Sequence, residues 1–395
     1  YSGKYVTVVG GISALMYTAY ASTVVGGQDH KIDGAYSTII GGDENTVLGD
    51  FSNIGGGWDN YISGSYSTIG GGRSNTIYSS DYATISAGYE NFNYGYASTT
   101  SGGGDNTVYS SYTTASSGTN NYVTGAYSHV SGGDHNTVFA GSSSIQNGRY
   151  NIIYTAYSVT TGGQYNYISG YSATIGGGVS NTVTSSWGGV LGGNNNYIEG
   201  AYSIDGAGSG NYVTAYSYVG AGVENIMDEN TYGTIGGGYS NTVQSYSYQS
   251  ILGGEQNFND GNDATILGGT LNSVSGHDSV IIGGNGNLID VDGYASMVGG
   301  GSANSASSYY SFALGHDAFA TSYNSAVFGF GKDSCYAMGP NTINVCTDDG
   351  GMFSNGEPVG SNPVDESNSW TIDYTNVGGT LDYATVSGGY KNTAN

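Results

Sequence analysis

Branched apolar residues return along this chain at intervals of seven or eight, mostly in alternation: Ile39, Val47, Ile54, Ile62, Ile69, Ile77 and Ile85, then Val123, Val130, Val138, Ile145 and Ile153. Polar positions keep a longer beat. Asparagine recurs at almost every fifteenth residue, at Asn45, Asn60, Asn75, Asn91, Asn106, Asn121 and Asn136, and the beat carries on to Asn287. A fixed period this short means one structural unit stacked on copies of itself. The unit reads GGxxNTVxSxYSTIx and holds two half-units, each a short β segment with one inward apolar residue between two outward ones. Glycine is too frequent for helix, and the glycine pairs supply the positive φ angles that tight corners need.

Two strands and two corners per repeat predict an all-β chain, a narrow parallel β-solenoid in which each coil hydrogen-bonds to the next. From residue 10 to about 330 this gives about 21 coils, and a rod on the order of 100 Å at the spacing of paired strands. Three segments follow: a solenoid over 1–330, a non-repetitive insert over 331–370, and a terminal repeat segment over 371–395. The insert holds Pro340, Pro358 and Pro363, all the prolines of the chain. Proline cannot donate to a ladder, so its confinement here marks the break. The rhythm resumes at Tyr383–Thr393 and stops in mid-repeat. Either the chain is a piece of a longer protein, or the last coil docks on the first coil of the next subunit and grows a filament. Its start at Tyr1, without Met, points to a processed or truncated product.

Composition fits an extracellular stacked fold. Charged residues are 9% of the chain, against 72 glycines and 39 tyrosines. Such a chain would ordinarily be read as low-complexity, but strict periodicity overrules that reading. The net charge of −24 repels polyanions, which excludes nucleic acid and anionic membrane surfaces as partners. No stretch of 18 apolar residues is present, so no membrane insertion is expected. Only two cysteines occur, Cys335 and Cys346, and they point to a disulfide worth roughly 3 kcal/mol where the repeat is lost. A pair of free thiols is the alternative.

Stacking places equivalent residues on shared vertical lines. Tyr36, Phe51, Tyr66, Tyr82, Tyr96, Tyr112 and Tyr127 should form an aromatic ladder, with Tyr157, Tyr171, Trp187 and Tyr202 further on. Stacked rings add about 0.5–1.5 kcal/mol per pair and stiffen the fold. The same strip could instead stack on sugars or form a subunit interface. Recurrent Asn reads as a buried amide ladder that needs no ligand. The residue after Asn alternates, as in Thr46, Tyr61, Thr76 and Phe92, so the flat Thr face that ice binding needs does not form on that side.

Catalytic chemistry is not expected. His30, His129, His135, His277 and His316 are dispersed, and His129, His135 and Asp134 read as solvated corner residues. The stretch Gly283–Ile289 resembles a calcium-binding nonapeptide with Asn where Asp should be. Asp290 with Asp292, or Asp260 with Asp263, is the only candidate calcium site; no other cofactor is expected. Polysaccharide lyases use larger solenoid coils with clustered acidic and basic groups, which are missing here.

The half-unit S-x-(apolar)-x-G-x-x-N-x-(apolar)-x-G is similar to the head repeats of YadA-type trimeric autotransporter adhesins. The clearest match runs from Asn304-Ser305-Ala306 through Phe312-Ala313-Leu314-Gly315 to Ala326-Val327-Phe328-Gly329. The resemblance implies a left-handed β-roll, usually trimeric, that binds matrix or host surfaces. Larger Ile, Val and Tyr stand where the family tends to have Ala. The expectation is a non-enzymatic, extracellular or cell-surface fibre subunit that associates with itself, with a host- or glycan-binding adhesin head as the alternative. A carbohydrate-active enzyme and an ice-binding protein rank below both.

Overall fold

The structure, a computed structural model, describes residues 4–347 apart from 215, 229–231, 332 and 338. It also gives the backbone of three later strands, Met352–Ser354, Glu357–Val359 and Ser369–Asp373. Apart from Ser369–Asp373, the insert's end and the terminal repeat expected over 371–395 lie outside the described residues. The described chain is an all-β parallel solenoid with turns of about 15 residues. It divides into two compact units, 1–198 and 199–395.

One coil of the first unit explains the rest. Thr38–Ile39 belongs to a first sheet and Thr46–Val47 to a second, each strand two residues long. Thr38 pairs with Asn53 and Ile39 with Ile54 in the next coil, while Thr46 pairs with Tyr61 and Val47 with Ile62, all parallel. β-branched residues suit these strands because they pack well on a pleated, half-buried surface.

Four columns point inward. Two are apolar: Ile39, Ile54 and Ile69 on the first sheet, and Val47, Ile62 and Ile77 on the second. Two are polar: Ser37, Ser52 and Ser67 at one corner, Asn45, Asn60 and Asn75 at the other. All are 0% exposed, so half of this core is polar. Burial on that scale is tolerable only when every polar group finds a partner.

The asparagines find theirs in each other. Asn60 receives nothing from solvent. Its backbone N–H and its Nδ2 both donate to Asn45 Oδ1 at 3.0 Å, and Nδ2 also donates to the carbonyls of Gly56 at 3.1 Å and Gly72 at 2.9 Å. One side chain therefore ties together three successive coils. The serine corner works alike: Ser52 N–H donates to Ser37 Oγ at 3.1 Å, and Ser52 Oγ donates to the Gly64 carbonyl at 2.9 Å.

This amide clasp sets the glycine positions. At Gly57, φ is 95°, and a Cβ would stand 2.0 Å from the Gly72 carbonyl oxygen and 2.8 Å from Asn60 Nδ2. The carbonyl that accepts the amide occupies the space a side chain would need. Each corner also turns through one left-handed residue placed just before the ladder Asn or Ser, such as Glu44 at φ 55° and Phe51 at 53°. A side chain there costs about 1–3 kcal/mol of backbone strain, which the ladder must offset.

The second unit keeps the amide column while coil length varies. Asn225 N–H donates to Asn211 Oδ1 across 14 residues, Asn241 to Asn225 across 16 and Asn304 to Asn287 across 17, at 3.1, 3.1 and 3.0 Å. Extra residues bulge at corners and leave the register intact. Toward the end both inward columns narrow, to Ala306 and Ala320 on the second sheet and Ala313 on the first, and strands lengthen to Phe312–His316 and Thr342–Cys346. Two strands within 331–370, Cys335–Tyr336 and Thr342–Cys346, pair parallel with the preceding coil, so the ladder runs on into that segment. The Cys335–Cys346 disulfide joins them, with Cα atoms 5.8 Å apart. Ser369–Asp373 then pairs antiparallel on Thr342–Cys346 and covers that edge of the first sheet.

Asn136→Ala tests the clasp. It strips the acceptor from the Asn151 N–H and the donor from the carbonyls of Gly132 and Gly148. Leaving buried polar groups unpaired costs about 1–3 kcal/mol each. Hydrogen exchange at Asn151 and its neighbours should accelerate by two or more orders of magnitude, whereas Thr137→Ala on the outward face should leave it nearly unchanged.

Candidate functional site

With most interior polar groups held by the ladders, the exposed chemistry lies in the outward columns. The corner column before the ladder Ser carries Tyr36, Phe51, Tyr66 and Tyr82 on left-handed backbone, which projects each ring outward over its neighbour. Consecutive centroids lie 4.8, 4.9 and 5.0 Å apart with planes within 6°. Tyr112 and Tyr127 stack likewise at 5.0 Å. Tyr96 sits one residue before the column, whose occupant in that coil is Ala97 at φ 50°. Its ring meets Tyr82 and Tyr112 edge-on, at 74° and 77°. Tyr171 is displaced the same way, ahead of Ser172. Tyr96 and Tyr171 stand three residues before the strand threonines Thr99 and Thr174, against two for Tyr36 before Thr38 and Tyr82 before Thr84, and that spacing is the signal that reveals both.

A second aromatic column escaped the sequence reading. Tyr61, Tyr78, Tyr94, Tyr109, Tyr122, Phe139, Tyr154 and Tyr167 form an unbroken chain of ring contacts along the outer face of the second sheet, 4.7–6.5 Å apart. The ring switches between the residue after Asn and the one two further on. Both flank the same inward residue, Val or Ile in every coil but that of Tyr94, where it is Asn93, so alternation along the sequence becomes continuity in space.

Charge collects at the asparagine corner. Asp29, Glu44, Asp59, Glu90 and Asp105 occupy the left-handed position there, one per coil except at Ser74. Further along, Asp134 accepts from Thr119 Oγ1 at 2.9 Å, His135 Nδ1 at 2.7 Å and Arg149 Nε at 3.2 Å. The Thr119 hydrogen bond, then that of His135, holds this carboxyl below its usual range. His129 pairs separately with Ser131 Oγ at 2.7 Å. Of the two other acidic pairs, Asp290 accepts from the Val291 N–H and Asp263 from Asn262, while Asp260 keeps a buried Oδ1 without a protein partner. Gly283–Ile289 is an ordinary coil that contributes Asn287 to the amide ladder. Among the described residues no three His, Cys, Asp or Glu side chains converge. The shallow depression between Tyr310, Phe312, Asn324, Ser325, Ala326 and Thr342 holds no carboxylate, imidazole or ammonium group.

Two buried titratable groups replace regular column members. His30 takes the asparagine position at the start of the amide ladder, where its Nδ1 accepts from the Asn45 N–H at 3.3 Å. Burial pushes its imidazole below the ordinary value, opposed by Asp43. Asp205 takes an apolar position on the first sheet and is 0% exposed. Desolvation raises its carboxyl to about 7, opposed by the Asn211 amide, which donates to Oδ1 at 3.3 Å. Neither substitution disturbs the heptad-octad rhythm enough to be seen without the columns. No protein-family model and no curated protein sequence matches the chain.

Asp205 makes stability depend on pH. Its folded pKa exceeds the unfolded value of 3.8, so its contribution to stability is full below about pH 4 and is lost as pH rises through about 7, where the folded carboxyl ionises. The difference between wild type and Asp205→Asn should therefore grow by about 1.4 kcal/mol per pH unit across that window and level off above it. Denaturant unfolding at several pH values measures it.

Proposed function

We propose that this protein is a non-enzymatic structural component of an extracellular fibre or cell-surface appendage. The observation that supports this reading most is the buried polar ladder: Asn and Ser side chains clasp coil to coil along most of the described chain. Such a ladder commits its amides and hydroxyls to holding coils together, and the buried polar atoms it leaves unpaired, among them those of Asn93, Thr100 and Thr160, are scattered along the chain. The disulfide fits an oxidising compartment. The small inward residues Ala306, Ala313 and Ala320 keep the comparison with YadA-type heads alive for that stretch.

Self-association is part of the reading, and the edge geometry constrains it. Parallel stacking on Thr342–Cys346 would have to displace Ser369–Asp373, so growth of the first sheet at that end is opposed by the chain itself. Side-by-side contact through the aromatic columns meets no such barrier. A glycan-binding head is the second reading, favoured by Tyr96. Face-stacked rings hide their faces from a sugar, whereas the perpendicular ring at Tyr96 interrupts the stack and leaves an unstacked face.

Negative-stain microscopy with sedimentation velocity separates the two. Filaments or laterally paired particles that dissociate when Tyr66 and Tyr82 are both changed to Ser support the fibre. Dispersed particles that bind immobilised glycans, and lose them on Tyr96→Ala, support the adhesin and remove the first reading.

A further inference from the structure

We propose that the outward face of the first sheet, between Thr23 and Ser116, binds ice by ordering water on a lattice of hydroxyls. The Thr face judged missing from the second sheet lies on the first. Thr23 pairs with Thr38, Thr68 with Thr84, Thr84 with Thr99 and Thr99 with Thr114, and Asn53 alone interrupts the row between Thr38 and Thr68. Parallel pairing holds like residues about 4.8 Å apart. That spacing is close to the repeat of water molecules along the a axis of hexagonal ice.

A second row stands beside it. Two residues after Thr84, Thr99 and Thr114 come Ser86, Ser101 and Ser116, which face outward again by the period of the strand, about 6.6 Å along it. The face in these coils is thus a two-dimensional grid of hydroxyls. None of these threonine or serine side chains forms a hydrogen bond with protein among the described residues. Corner threonines differ: Thr119 bonds Asp134 at 2.9 Å and Thr155 bonds the Gly170 carbonyl at 2.6 Å. A branched Thr side chain has few rotamers, so hydroxyl and methyl are presented in fixed orientation and water can be ordered at little further entropic cost.

What surrounds the grid matters equally. In a chain with 30 acidic residues, none falls in either row between 23 and 116, whose remaining members are Val25, Ile40, Gly55 and Gly70. Between 23 and 116 the carboxylates stand at the two corners, as Asp43 and Asp50 do, or beside the second sheet, as Asp33 does, and neither row carries a large ring. A neutral, low-relief face is left, which strongly hydrated charges would spoil. This assignment is independent of the fibre reading.

The test is ice-affinity partition and thermal hysteresis of the full chain. The protein is expected to enter slowly growing ice and to facet crystals, and Thr84→Tyr with Thr99→Tyr to reduce hysteresis at least fivefold. Thr84→Asn with Thr99→Asn, which copies the residue the row already accepts at 53, guards against misfolding and should reduce it at least twofold. Thr76→Tyr with Thr107→Tyr, on the second sheet where Tyr61 and Tyr122 already occur, should leave it unchanged. Exclusion of the natively folded chain from ice overturns the proposal, as does equal loss from the second-sheet variants.

Discussion

The buried asparagine amide is the interaction on which the coil depends. A solenoid this narrow has room for only two apolar columns, too few to close its corners, and each corner strands backbone carbonyls away from water. One amide per coil resolves this: its Oδ1 accepts from the coil that follows, and its Nδ2 serves carbonyls of its own coil and the next. A buried network of this kind is secure only when complete, because a low dielectric strengthens satisfied bonds and penalises missing ones alike. The serine corner repeats the solution with a shorter side chain. Between them they fix register more tightly than hydrophobic packing could, since an apolar column would tolerate a slip that an amide column would not.

Other sequence rules follow as consequences. The second glycine of each pair is required because the accepting carbonyl occupies the place of its Cβ. The left-handed residue before Asn or Ser is required because the next side chain must turn inward at once. That residue carries Tyr, Phe, Asp or Glu despite the strain, and stacked rings with a centroid spacing near 5 Å are well placed to recover part of it at the serine corner. Variation is allowed where the clasp does not reach. Coils of 14 to 17 residues keep the same Asn-to-Asn bond, because insertions are absorbed at the corners.

Much of this was legible in the sequence, and the limits are physical. Period and strand pattern are visible because inward and outward positions alternate within each half-unit. Columns are harder, because membership depends on register and not on residue type. Tyr96 looks like a member of the aromatic ladder and is displaced by one residue, while His30 looks isolated and heads the amide column. The second aromatic column was hidden by its own alternation, and the Thr row because the residue after Asn drew attention to the wrong sheet. Asp205 is a further kind of miss: an isolated acid in an apolar column carries no local mark of its burial.

The columns also separate chemistries that a compact fold would mix. In the first unit, most acidic groups line the asparagine corner, the longest aromatic stacks run at the serine corner and along the second sheet, and neutral hydroxyls line the first sheet between Thr23 and Ser116. Because each column is one residue wide and repeats at strand spacing, changing one column leaves the buried clasp untouched. The outward surface can therefore be tuned for hydration, stacking or adhesion without altering the fold. The internal columns have no such freedom, and their few exceptions mark where function or instability should be sought. At Asn93, Thr100 and Thr160 a polar side chain enters an apolar column and leaves Nδ2 or Oγ1 without a protein partner, a penalty of about 1–3 kcal/mol each. Nearest-neighbour stability lets a long solenoid carry such local weaknesses, because each coil is held by the two beside it and a flaw in one is not felt throughout.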